Sequence, residues 1–193
     1  PWAMTLGAIQ DKSLITEMSA KIAEDAKRMG VNWDFAPVVD VNTNPNNPII
    51  GNRSFGSEVD NVISSALSYS SGLQDSNVLA AIKHFPGHGD TSTDSHHDLP
   101  VVTHDLKRLN EVELAPFKAL TDKGIGGVMV AHLYVPALEK QPGVPASVSK
   151  SIVTDLLKNK LGYKGLIITD ALNMGAVAKR YKPGELDALA FNA

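Results

Sequence analysis

Cysteine is absent from the chain. No disulfide framework and no thiolate chemistry are available to it, and it suits either redox environment. No charge of one sign dominates: 18 Lys and Arg stand against 21 Asp and Glu, for a net charge of -3. That balance gives no footing for a nucleic acid or an anionic membrane as partner. No apolar run approaches the ~20 residues that a membrane span needs. No signal peptide is visible, and the chain opens at Pro1 without a Met, so its compartment, periplasmic or cytoplasmic, stays open. Neither an internal repeat beyond strand–helix alternation nor a linker marks a second domain. What is present is ordinary globular material: 193 residues, 43% of them hydrophobic, enough to bury a real core.

Taken in order, the chain alternates helix and strand. Leu14, Ile15, Met18, Ile22 and Ala26 recur at helical spacing and predict a helix from Asp11 to Met29, stopped by Gly30. A strand follows over Val31–Ala36, then Val38–Val41. The cluster Asn42–Pro48 is a turn, leading to a long loop that carries Arg53. Further helices are predicted over Val59–Leu73, over Asp105–Lys123 with Pro116 kinking or splitting it, over Ser149–Leu161 behind a Ser cap, and from Pro183 to Phe191. Strands fall at Val78–Lys83, Gly127–Leu133 and Gly165–Asp170. They are short and continuously apolar, as in a parallel sheet covered by helices.

That pattern leaves a doubly wound sheet or a (β/α)8 TIM barrel. Asp40, Lys83, His84, His132 and Asp170 all sit at or just past strand C-terminal ends, and on four different strands. A barrel draws its site from several strand ends at one face, whereas a doubly wound sheet concentrates it at one switch point. The reading is therefore a barrel. Since roughly four strands are visible and a whole barrel takes ~250 residues, it is an incomplete one.

Function concentrates in Lys83-His84-Phe85-Pro86-Gly87-His88-Gly89-Asp90-Thr91-Ser92-Thr93-Asp94-Ser95-His96-His97-Asp98. A strand ends in Lys-His and opens into a loop dense in His and Asp. Asp94 stands two residues before His96, close enough for a carboxylate to fix an imidazole tautomer and raise its basicity; two solvated side chains are the plain alternative. Asp170 closes an apolar strand, where a carboxylate suits a nucleophile or, equally, a helix N-cap. Lys83 and His84 face opposite ways if the strand runs through them, and both reach a site if it ends at Ile82. Arg53 can offer a fork of donors to sugar hydroxyls, or be a surface charge. A divalent metal at the histidines lacks any HExxH-like pair, and a phosphate nest at Phe85–Gly89 lacks the P-loop ending. No metal and no cofactor is expected.

These residues carry a resemblance. The Lys83–Thr91 run with Asp94-Ser95-His96 is similar to the signature of family 3 glycoside hydrolases of the bacterial β-N-acetylglucosaminidase branch. So are Asn32–Asn42 with Asn46-Asn47-Pro48, Arg53-Ser54-Phe55-Gly56, and Ile168–Met174. The resemblance implies that residues 1–193 are an internal segment of a single N-terminal catalytic TIM-barrel domain, with barrel strands on either side of it. It implies metal-free retaining hydrolysis with Asp170 as nucleophile, His96 as acid/base and Asp94 as its partner. Arg53, Lys83 and His84 match sugar-binding positions. The implied substrate is a terminal β-linked N-acetylglucosamine of peptidoglycan-derived glycans. Lys182-Pro183-Gly184-Glu185 resembles Bacteroidetes-type members, which often carry further domains. A non-catalytic sugar-binding or structural barrel fragment is the competing expectation.

Overall fold

The computed structural model describes every residue except His96, His97 and Pro183. Helix α1 spans Ala3–Gly7 and α2 spans Ser13–Arg28. α2 buries Ile15, Ser19, Ala23 and Ala26, a three-to-four-residue stripe, and sets Lys27 and Arg28 at its electronegative end. Helix α3, Val59–Asp75, lies against it with Val62, Ala66 and Leu73 fully buried. The two approach so closely at Gly72 that a Cβ there would stand 2.0 Å from Ser19 Oγ and 2.3 Å from the Thr16 carbonyl oxygen.

Four parallel strands follow one another in both sequence and space: β1 Trp33–Asp34, β2 Leu79–Phe85, β3 Gly127–Val130 and β4 Leu166–Thr169. Trp33 pairs with Leu79, Ile82 with Val128, and Val130 with Thr169. β3 is buried along its whole length, which is why it reads as a continuous apolar run. Phe85 meets Phe117 edge-on at 5.1 Å, joining β2 to helix α5, Ala115–Thr121. Strand order without reversal, with helices packed alongside, is the arrangement of a barrel and not of a doubly wound sheet. The fold is TIM-barrel-like α/β, an incomplete barrel. All four strands send their C-terminal ends to one face, so Lys83 and Asp170 lie at the same end, as the sequence predicts. Among the described residues no helix is long and apolar enough to cross a membrane.

Several elements differ from the sequence reading in extent; β3, for one, ends at Val130 rather than at the expected Leu133. β1 is confined to Trp33–Asp34, shorter than the expected Val31–Ala36. Beyond it the chain still runs beside β2, with Ala36 and Pro37 carbonyls accepting from Ala81 and Lys83, but Pro37 has no N–H to return. The predicted Asp105–Lys123 helix is divided into α4, Leu106–Arg108, a π-type turn over Leu109–Glu113, and α5 with Pro116 in its first turn. Asp105 caps α4 by accepting from Arg108 N at 2.8 Å. The Ser149–Leu161 helix is a π-type helix over Ser151–Lys160, with Ser149 Oγ accepting from Ile152 N. Helices α6, Gly175–Ala178, and α7, Glu185–Asn192, complete the chain.

Gly72→Ala is expected to lower stability by at least about 1–3 kcal/mol, because backbone of α2 blocks the added methyl. Thermal unfolding of the variant beside the parent checks this; an unchanged Tm refutes the close approach.

Candidate active site

The site is assembled around a carboxylate that the sequence marks only by its place at a strand end. Asp40 is fully buried. Its Oδ1 accepts from the backbone N–H of His88 at 2.7 Å, and its Oδ2 accepts from His84 Nδ1 at 2.7 Å. The backbone N–H of His84 lies 3.2 Å from both oxygens. One side chain thus holds the end of β2 and the start of the loop that follows. The Asp40 carbonyl accepts from Ser54 Oγ at 2.6 Å, which fixes the Arg53 loop to the same point.

The turn cluster supports the loop from below. Asn47 donates to the His88 carbonyl at 2.8 Å, and Asn44 donates to the Thr91 carbonyl at 3.1 Å. Gly89 packs on the Val41 carbonyl so closely that a Cβ would stand 1.8 Å from that oxygen, so only glycine fits.

A cavity of about 220 Å³ opens at this end of the sheet. Arg53, Lys83, His84, His88, Ser95 and Asp170 supply its polar lining, and Phe35, Ile49 and Met129 its apolar lining. Lys83 and His84 both face it. β2 does run through them, but its register with β3 is irregular between Ile82 and Phe85, so strict alternation fails there. Arg53 donates to the Ile49 carbonyl at 3.2 Å and approaches His84 Nε2 at 3.3 Å. With Nδ1 donating to Asp40, Nε2 is left as the acceptor for the guanidinium, so both neighbours select the same tautomer. Asp170 extends β4 by donating its N–H to the Val130 carbonyl, and its Oδ1 accepts from Ala171 N at 2.8 Å. It caps no helix.

Burial and charge tune the lining. Burial lowers the pKa of the Lys83 ammonium and nearby Arg53 pushes it the same way, against Asp170, Asp34 and Asp40. Asp34 is raised by burial, with Lys83 opposing. Burial by itself would raise the Asp40 carboxyl; contacts with His84 and His88 outweigh it and hold the group below the usual range. His88, buried and bonded through Nδ1 to Thr91 Oγ1 at 2.5 Å, is pushed down to about 4 by burial, with the Asp40 charge opposing.

Of the residues singled out in the sequence, Arg53, Lys83, His84 and Asp170 are brought together around the one cavity. Asp94 is half-buried and does not line it; its neighbour Ser95 does. His96 lies outside the described residues. Ser95 and Asp98 are each fastened to the segment beyond Asp170: Ala176 N donates to the Ser95 carbonyl at 3.1 Å, and Arg180 donates to Asp98 at 3.2 Å. The sequence reading placed Asp40 and His132 at strand ends without a role. His132 is fully buried and is not among the cavity's lining residues. Among the described residues no cluster of three or more His, Asp or Glu side chains is placed to hold a metal ion.

Comparison with known proteins gives one consistent result. The model of the glycosyl hydrolase family 3 N-terminal domain matches residues 1–193. Beta-hexosaminidase A of Pseudoalteromonas piscicida is 38% identical over 98% of this chain and 34% of its own length. Beta-hexosaminidase LpqI of Mycobacterium tuberculosis is 38% identical over 96% of this chain and 48% of its own. A solved family 3 beta-N-acetylglucosaminidase from Paenibacillus sp. superposes with a TM-score of 0.97 at 43% identity, covering all of this chain and 36% of that one. The chain thus spans half or less of the length of these relatives.

The low pKa of His88 sets a pH dependence. The unfolded chain takes up its proton near 6.5, the folded one near 4, so the unfolded state binds more protons between those values. Stability is therefore full above about pH 6.5 and falls by roughly 3 kcal/mol on the way down to pH 4. Urea unfolding at steps across that window is expected to show the loss in the parent and a flatter profile in His88→Gln. Parallel profiles would refute it.

Proposed function

The chain belongs to glycosyl hydrolase family 3, and on that premise we propose that it forms part of the single catalytic domain of a retaining β-N-acetylhexosaminidase. Its substrate is a terminal β-linked N-acetylglucosamine of peptidoglycan-derived glycans. The observation that carries this reading is the cavity at the strand ends, where a half-buried carboxylate, Asp170, faces three cationic or hydrogen-bonding side chains, Arg53, Lys83 and His84. The hexosaminidase names of the relatives support the choice of sugar.

In the first step Asp170 attacks the anomeric carbon as the glycosidic C–O bond breaks. His96, protonated at the start, gives its proton to the departing oxygen, so the alkoxide leaves as an alcohol. The product is a glycosyl ester on Asp170. In the second step neutral His96 takes a proton from water, whose oxygen displaces Asp170 and restores its carboxylate. Asp94 orients the imidazole. Arg53, Lys83 and His84 bind ring hydroxyls; the burial that lowers the pKa of Lys83 leaves its donors few waters to compete with the sugar.

Asp170→Asn keeps the shape of the side chain and removes the attacking charge. It is expected to lower kcat/KM on an aryl N-acetylglucosaminide by about a thousand-fold or more with folding retained. Residual activity near the parent's, or failure of a fluorosugar to label Asp170, would refute the assignment. For the acid, His96→Ala is expected to cost a natural disaccharide about 100- to 10,000-fold and an activated aryl glycoside far less, since a phenolate leaves without a proton. Asp94→Ala repeats the pattern more mildly. Equal losses on both substrates for His96→Ala would confine that residue to binding.

A further inference from the structure

We infer that His132 is a positioning residue for the Asp170 carboxylate, acting through the backbone of Ala171; the inference rests on the nucleophile assignment above. His132 follows β3 and is fully buried. Its Nε2 lies 3.0 Å from the Ala171 carbonyl oxygen, and its Nδ1 lies 2.7 Å from Ser147 Oγ. A carbonyl only accepts, so the ring hydrogen is on Nε2. Nδ1 then accepts from the Ser147 hydroxyl, and Ser147 is itself buried. One tautomer satisfies both contacts.

The amide on the other side of the Ala171 Cα reaches Asp170. Ala171 N donates to Asp170 Oδ1 at 2.8 Å, while Asp170 N is tied to the Val130 carbonyl at 2.9 Å. A chain of contacts results: Ser147 hydroxyl to His132, His132 to the Ala171 carbonyl, and, across the Ala171 Cα, Ala171 N–H to the carboxylate. Turning of Ala171 about its Cα would break the bond at Oδ1 and swing the carboxylate; His132, together with the Met174 N–H that donates to the same carbonyl at 3.1 Å, resists that turn. Ala171 lies past the last β3–β4 pair, Val130 with Thr169. Burial lowers the pKa of His132, which keeps the ring neutral and the polarity of these contacts fixed. A carboxylate that must meet a carbon within bonding reach tolerates little drift: a misplacement of ~1 Å costs about a hundred-fold in rate.

The test compares covalent labelling by an activated fluorosugar in the full-length protein that carries these residues, recording the rate per reactive site and the fraction of sites that react. Loss of folded protein lowers the fraction; misplacement lowers the rate. His132→Asn removes the donor at the Nε2 position and is expected to label about 10- to 100-fold more slowly. His132→Gln, whose amide nitrogen reaches that position, is expected to recover most of the rate. Ser147→Ala removes one hydroxyl, frees the other tautomer, and is expected to slow labelling by a few-fold with the fold intact; it carries the test if the His132 variants fail to fold. Parent-like rates per site in His132→Asn, or in Ser147→Ala where it stands alone, would overturn the inference. Asp170→Asn separates the two failures. If it still labels, the nucleophile assignment is wrong and the inference falls with it; if it does not and His132→Asn labels normally, only the inference falls.

Discussion

Everything at the functional end of this sheet depends on a buried carboxylate that has no room to be anything but a hydrogen-bond acceptor. Asp40 gathers the backbone of His84, the ring of His84 and the backbone of His88. A carboxylate removed from water is costly unless its lone pairs are filled, and three N–H groups fill them. That requirement is what gives the end of β2 its shape. Any rearrangement that turned His84 away from the cavity would leave Asp40 charged, dry and short of donors. The His84 ring is therefore held from behind by Asp40 and from in front by Arg53, and two loops distant in sequence share one anchor.

The cavity that results is electrically mixed. Lys83 and Arg53 stand together, each making the other's charge harder to bear, with Asp170, Asp34 and Asp40 easing it. Removal of these groups from water makes their mutual fields stronger than they would be at the surface. A neutral sugar, rich in hydroxyls that both donate and accept, is suited to such a lining, since it meets each charge with a hydrogen bond and leaves none exposed.

Strand positions, the barrel order and the gathering of Arg53, Lys83, His84 and Asp170 were legible in the sequence, because each rests on local pattern: an apolar run, a polar residue just past it, a Gly or Pro break. Bonds spanning long separations were not. Asp40 and His84 are 44 positions apart, and no periodicity signals that they meet. His132 looked like a strand-end group pointing at a site, and only packing shows that it faces the backbone of Ala171 instead. The short β1 was half-legible, since Pro37 was there to be read as a residue without a donor. The shared orientation of Lys83 and His84 was open in sequence, because alternation decides it only where register is regular, and between Ile82 and Phe85 it is not.

Ser95 and Asp98 are clasped to the segment after Asp170 by the Ala176–Ser95 bond and the Arg180–Asp98 pair, the latter reaching across 82 positions of chain. Neither segment is a free-standing part. Transplanting the His/Asp loop onto another barrel scaffold would carry only one half of the clasp, and a chimera with a crossover anywhere between Asp98 and Ala176 would take its two halves from different parents. A graft that keeps both contacts must carry the interval from the end of β2 through Arg180 whole.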